Sequence, residues 1–114
     1  PIAPFGVRLR LRHPADPGRT RELDVVAGHG GVGLLVEVKS RLSPEGVAAF
    51  AASLEDARAY LTPFGVRELI GGVATLYPDP SLVAHATRLG LLVFGVGEEL
   101  MEPKNPPGFV PRRV

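Results

Sequence analysis

The chain has 114 residues, of which 45% are apolar and 22% charged, with a formal net charge of +1 and no cysteine. That length suits one domain burying roughly two-thirds of its unfolded surface. The composition excludes a disulfide framework, a thiolate nucleophile and a cysteine-based zinc site, and the low charge excludes the whole-molecule basic field of a non-specific nucleic-acid binder.

No stretch approaches the roughly eighteen apolar residues of a membrane span, and no signal-peptide pattern opens the sequence, so no membrane association and a cytoplasmic location are expected. Basic residues are eleven Arg against two Lys, with no Gln, one Asn (Asn105), one Met (Met101) and twelve Pro. Depletion of thermolabile residues together with abundant proline suits a protein from a hot environment; high genomic GC content would also favour Arg over Lys. The first residue is Pro1, which fits either removal of an initiator Met or a fragment of a longer chain.

Val7-Arg8-Leu9-Arg10-Leu11-Arg12 alternates apolar and basic residues, the period of a half-buried strand. Its Arg8, Arg10 and Arg12 face is expected to keep a sheet edge solvated, with a phosphate-contacting track as the alternative. His13-Pro14-Ala15-Asp16-Pro17-Gly18 has turn chemistry throughout. Two apolar runs follow, Glu22–Ala27 and Leu34–Ser40, around the glycine-rich segment Gly28-His29-Gly30-Gly31-Val32-Gly33. Those glycines spell G-x-G-x-x-G, but a strand follows them where the dinucleotide fingerprint needs a helix N-terminus for the pyrophosphate, so the segment is a hairpin turn.

Ser43-Pro44-Glu45 is a helix start, with a capping hydroxyl, proline at the first helical position and acid in the first turn. Val47, Phe50, Leu54 and Leu61 share one face, predicting a helix over 44–61 that Thr62-Pro63-Phe64-Gly65 ends. Residues 67–77 read as a buried strand with a close approach at Gly71-Gly72. Asp79-Pro80 starts a second helix running through Leu89, and Leu91–Val96 forms a further apolar strand. The element order β-β-β-α-β-α-β, with helices between apolar strands, predicts an α/β fold on a mixed central sheet. The domain spans residues 1–97. Residues 98–114, with four prolines, form a Pro-rich C-terminal tail expected to dock on its own domain or on a neighbouring copy.

A two-residue type I′ turn at Gly30-Gly31 sets the hairpin register. Asp24 then opposes Glu37, Glu22 opposes Lys39 and Val26 opposes Leu35, all on one face. Two opposed carboxylates repel, and a divalent cation between them removes that penalty; a one-residue bulge would instead turn Asp24 to the other face. Position 39 is Lys in a chain that otherwise favours Arg, which points to a need for a compact ammonium. The alternative is structural: a Glu22–Lys39 cross-strand salt bridge, with Asp24 and Glu37 solvated at a sheet edge.

Asp24, followed thirteen residues later by Glu37-Val38-Lys39 at the end of an apolar strand, resembles the PD-(D/E)XK nuclease superfamily, the restriction-endonuclease-like fold that includes archaeal Holliday-junction resolvases. The resemblance covers residues 5–96. It implies that Asp24, Glu37 and the carbonyl of Val38 hold Mg²⁺ or Mn²⁺. It also implies that Lys39 orients or activates the attacking water and offsets transition-state charge. Ser40 would support the site, and Glu22 would be an auxiliary acid. The sequence departs from the family pattern in having Leu23 where the family name has Pro, and no helix bearing an acid can form before Val7, so that element is either missing or lies upstream of this sequence. The expected function is a divalent-metal-dependent DNA endonuclease, contacting DNA through Arg8, Arg10, Arg12, Arg41 and the Arg112-Arg113 tail. A homodimer would suit two-strand cutting. The alternative is a catalytically inactive nuclease-like module for DNA binding or protein assembly. His13, His29 and His85 are isolated from one another, Ser40, Ser43, Ser53 and Ser81 lack a nucleophile-elbow context, and Glu98-Glu99 reads as a solvated charge pair.

Overall fold

A computed structural model describes residues 3–96 and 101–114. Six strands form one sheet in the order β1-β2-β3-β4-β5-β6: β1 (Ala3–Arg12), β2 (Thr20–His29), β3 (Val32–Lys39), β4 (Glu68–Thr75), β5 (Leu92–Val96) and β6 (Met101–Pro103). The pairs β1–β2, β2–β3 and β5–β6 are antiparallel, whereas β3–β4 and β4–β5 are parallel. The predicted mixed α/β sheet is therefore present. The predicted element order is corrected by a sixth strand in the tail and by division of the long helix.

Helices α1 (Pro44–Ala52) and α2 (Leu54–Leu61) cross from β3 to β4, and α3 (Pro80–Arg88) crosses from β4 to β5. Their starts follow the sequence chemistry: Ser43 Oγ accepts from Gly46 N at 3.0 Å, and Asp79 Oδ1 accepts from Ser81 N at 2.7 Å. The predicted single helix over 44–61 is broken at Ser53. The Ser53 hydroxyl donates back to the Phe50 carbonyl at 2.8 Å, while its carbonyl accepts from Arg21 of β2 as well as from Ala57 N. A side chain competing for helix carbonyls bends the helix at that point.

One face of the sheet carries the core. Leu23, Val26, Leu35, Leu69, Val73, Leu91 and Val93 pack against Val47, Phe50, Leu54, Leu61 and Ala86 of the helices. The tail closes the structure. Lys104 N donates to Val93 O, and Leu69 and Val114 exchange backbone bonds of 2.9 and 3.0 Å, filling the side of β4 that lies ahead of the start of β5. Asn105, the only asparagine, accepts from Val93 N and donates to Thr87 Oγ1 and to the Leu91 carbonyl. These bonds take a Pro-rich segment that would be extended alone and fix it on its own domain. Glu98-Glu99 lies outside the described residues.

Candidate functional site

The hairpin that positions the site has the predicted turn. Gly30 and Gly31 have φ values of 60° and 84°, the left-handed pair a type I′ loop requires, and Val26 pairs with Leu35 as the register demands. The ladder ends at Val25–Val36, one pair short of Asp24–Glu37, so neither of the two predicted charged cross-strand pairs forms as a ladder pair.

The cause lies in β1 and β2 together. Leu23 and Val26 are only three residues apart, yet they are 2% and 0% exposed in the same core, so the in–out alternation slips once between them. Opposite it in β1, Arg8 has φ 53°, the only non-glycine residue at positive φ among the described residues, and stands between the Val7–Val25 and Leu9–Leu23 pairs, which keep one register; the register of β1 shifts between Pro4 and Gly6. The alternation predicted for this strand holds over Arg8–Arg12: Arg8, Arg10 and Arg12 are exposed, while Leu9 and Leu11 are partly buried against the core. Below the slip Glu22 stands opposite Arg10, on the β1 side. The predicted sharing of one face by Glu22, Asp24 and Val26 is corrected accordingly.

Asp24 sits in this slip. Its Oδ2 accepts from Val38 N at 3.0 Å, taking the position that a β2 carbonyl would hold in a continuous ladder. In an antiparallel strand the N–H and C=O of one residue point to the same neighbour, so the Val38 carbonyl is directed to the β2 side as well. Glu37 is half-buried. Burial, first, and Asp24 raise its carboxyl above the ordinary range, while Lys39 and Arg21 oppose the rise. Asp24 and Lys39 thus both lie near enough to Glu37 to act on its charge where β2 and β3 part. A small cleft there has Arg21, Glu22, Asp24 and Glu37 around Leu23 and Phe50.

The donor set suits a hard cation. Two carboxylates and a backbone carbonyl are oxygen ligands of the Mg²⁺ or Mn²⁺ type. One hydrogen bond leaves the Asp24 carboxylate with unused lone pairs. Among the described residues no group of three or more His, Cys, Asp and Glu side chains is placed to hold a metal. Asp24 and Glu37 are thus two candidate carboxylate donors, short of such a three-residue group.

The remaining predicted residues lie around this centre. Lys39, Ser40 and Arg41 are exposed at the end of β3, and Ser40 contributes its carbonyl, which accepts from Thr75 Oγ1 at 2.9 Å. Arg8, Arg10 and Arg12 are exposed on the edge strand. Arg113 lies 3.7 Å from Glu68, at the far end of β4, and Arg112 is packed over Gly90. Arg21 is the participant that sequence reasoning missed. It bridges Asp56 at 3.2 Å and donates to Ser53 Oγ at 2.9 Å, which ties the cleft to the helix break. The signal was its spacing from Leu23, which places it on the core face.

A concavity of about 540 Å³ along α3, between Pro78, Val83 and Pro106, is apolar and has no carboxylate in its lining. No helix among the described residues is long and apolar enough to cross a membrane. Comparison with protein-family models, with curated proteins and with solved structures finds no significant match to this chain.

Proposed function

We propose that this protein is a cytoplasmic, divalent-metal-dependent nuclease of restriction-endonuclease-like architecture that hydrolyses DNA phosphodiester bonds. The observation that carries the reading is the meeting of Asp24, Glu37 and Lys39 at the parted ends of β2 and β3, with the Asp24 carboxylate fixed on the Val38 amide. Asp24, Glu37 and the Val38 carbonyl would hold Mg²⁺ or Mn²⁺. The bound ion would supply Lewis-acid polarisation of the scissile phosphate.

The chain's own residues divide the remaining work. The Lys39 ammonium, close enough to Glu37 to oppose the rise of its carboxyl, orients the attacking water and offsets charge as the phosphorus–oxygen bond breaks. Glu22 borders the cleft and is an auxiliary acid, and Ser40 holds the β3 end through its carbonyl. Arg8, Arg10, Arg12 and Arg41 supply phosphate contacts, whose contribution falls with salt. Two copies related by a two-fold axis would address two strands.

A second reading is a nuclease-like DNA-binding or assembly module without turnover, favoured by a centre with only two carboxylates. Incubation with linear, plasmid and branched DNA in Mg²⁺ or Mn²⁺ separates the two. The nuclease reading expects metal-dependent cleavage that Lys39→Ala lowers roughly 100- to 1,000-fold. Cleavage equal in both proteins would overturn the assigned mechanism, and no cleavage of any substrate would leave the binding module.

A further inference from the structure

We infer that the C-terminal ends of β3 and β4 form a stacking platform for an unpaired DNA base next to the candidate site, so that the preferred substrate contains single-stranded DNA. The inference rests on the nuclease reading for its biological use but not for its physical basis. Tyr77 and Leu76 are each 56% exposed and Val38 is 54% exposed, an unusual cluster of large apolar side chains for a solvated strand end. The register unites them. Lys39 pairs with Thr75 and Val38 with Ala74, so Leu76 and Tyr77 leave β4 at the level where Ser40 and Arg41 leave β3.

Two features show that the cluster is built. Thr75 is 1% exposed; its hydroxyl donates to the Ser40 carbonyl at 2.9 Å and accepts from Tyr77 N at 3.2 Å, locking the two strand ends together. The Arg41 guanidinium lies over the Tyr77 ring, 4.6 Å from its centroid. An aromatic ring is thus held in place and still more than half exposed, with Lys39 and Arg41 on the adjoining strand end.

The chemistry of the partner follows from that combination. A DNA duplex presents phosphates and groove edges but keeps its base faces stacked inside, so it offers nothing for the Tyr77 face and the apolar Leu76. An unpaired nucleotide offers both a π-face and a phosphate, and aromatic rings interleaved with cations are how single strands are held. The cations select an anionic occupant over an apolar peptide. Because the strand end that carries Arg41 also carries Lys39 of the candidate site, two residues earlier, the stacked base would belong to a nucleotide near the scissile phosphate.

The chain contains two tyrosines and no tryptophan, and Tyr60 is 3% exposed, so quenching of intrinsic fluorescence reports Tyr77. Binding is measured with chelator present, so that no cleavage is needed, using short oligo-dT, a duplex of the same length and oligo-rU at fixed ionic strength. The expected result is saturable quenching by oligo-dT and weaker binding of the duplex. By anisotropy, Tyr77→Ala should weaken oligo-dT binding roughly 10- to 100-fold while Tyr77→Phe retains it, and duplex affinity should be unchanged by either. Equal affinity for single strand and duplex, or no loss in Tyr77→Ala, would overturn the inference, as would tighter binding of oligo-rU. If single-strand binding depends on Tyr77 but no DNA is cleaved in metal, the platform stands and the nuclease reading fails. If DNA is cleaved and Tyr77→Ala binds as wild type, the nuclease reading stands and the platform fails.

Discussion

Gly71 and Gly72 are neighbours on β4 that face opposite sides of the sheet, so alanine at each tests which face holds the core. At Gly71 an added methyl carbon would lie 2.7 and 3.0 Å from the two Leu54 methyls and 2.8 Å from a Leu91 methyl. Both leucines are at most 1% exposed, within the core. Overpacking of this kind costs about 1–3 kcal/mol, and replacing a strand glycine returns about 0.5–1 kcal/mol. Gly71→Ala should therefore lose about 0.5–2 kcal/mol. For a chain of this length 1 kcal/mol corresponds to about 4 °C, so Tm should fall by about 2–8 °C. At Gly72 the nearest atom is a ring carbon of the half-buried Phe94 at 3.2 Å, with Leu92 and Val36 at 3.5 Å. There the gain from removing glycine is matched against slight crowding, and Tm should hold or rise by about 1–2 °C. Thermal and urea unfolding of the two variants and the wild type supply the measurement. A greater loss at Gly72 than at Gly71 would refute the placement of all three helices on the Leu54 face.

Three further outcomes follow from the site and its supports. Because burial raises the folded-state carboxyl of Glu37, the folded chain binds more protons than the unfolded chain between the ordinary carboxylate pKa and the raised one. Wild-type stability should therefore decline as pH rises through that window, and Glu37→Gln should gain relative to wild type over the same interval; parallel unfolding curves at every pH would contradict this. Arg8→Gly, which suits φ 53°, should be neutral or stabilising by about 1 kcal/mol, whereas Arg8→Val should cost about 1–2 kcal/mol and speed hydrogen exchange at the Val38 amide as Asp24 turns away; identical exchange in both would separate the Arg8 backbone from the placement of Asp24. Asn105→Ala should cost about 1–3 kcal/mol, since Val93 N, Thr87 Oγ1 and Leu91 O lose their partner, and should accelerate exchange at Val114 and Leu69.

What could be read from the sequence was local. Gly30-Gly31 fixed the turn, and so the Val26–Leu35 pairing, because few dipeptides accept two left-handed residues in succession. Ser43 and Asp79 announced their helices because capping depends on a side chain within three residues. The rest depended on partners distant in sequence. Ser53 breaks its helix under the influence of Arg21, thirty-two residues earlier. The slip at Asp24 stands opposite Arg8 on another strand, and nothing in an Arg-Leu alternation marks one arginine as left-handed. Asn105 looked like one polar residue among prolines, but it holds the tail by bonds to two backbone groups and a hydroxyl across the α3–β5 turn. That Asp24 and Glu37 stand on paired strands beyond the same hairpin turn was legible. The hydrogen bond that places Asp24 was not, because an ideal ladder has no room for it.

The central claim is that Asp24 and Glu37 share a divalent cation beside the Val38 carbonyl. Titration of the protein with Mn²⁺, followed by paramagnetic broadening of backbone resonances, tests it independently of any DNA substrate. The predicted result is saturable broadening centred on the Val38 amide and its neighbours Glu37 and Asp24, displaced by excess Mg²⁺ and abolished by Asp24→Asn. Broadening centred elsewhere in the chain, or unchanged in Asp24→Asn, would contradict it.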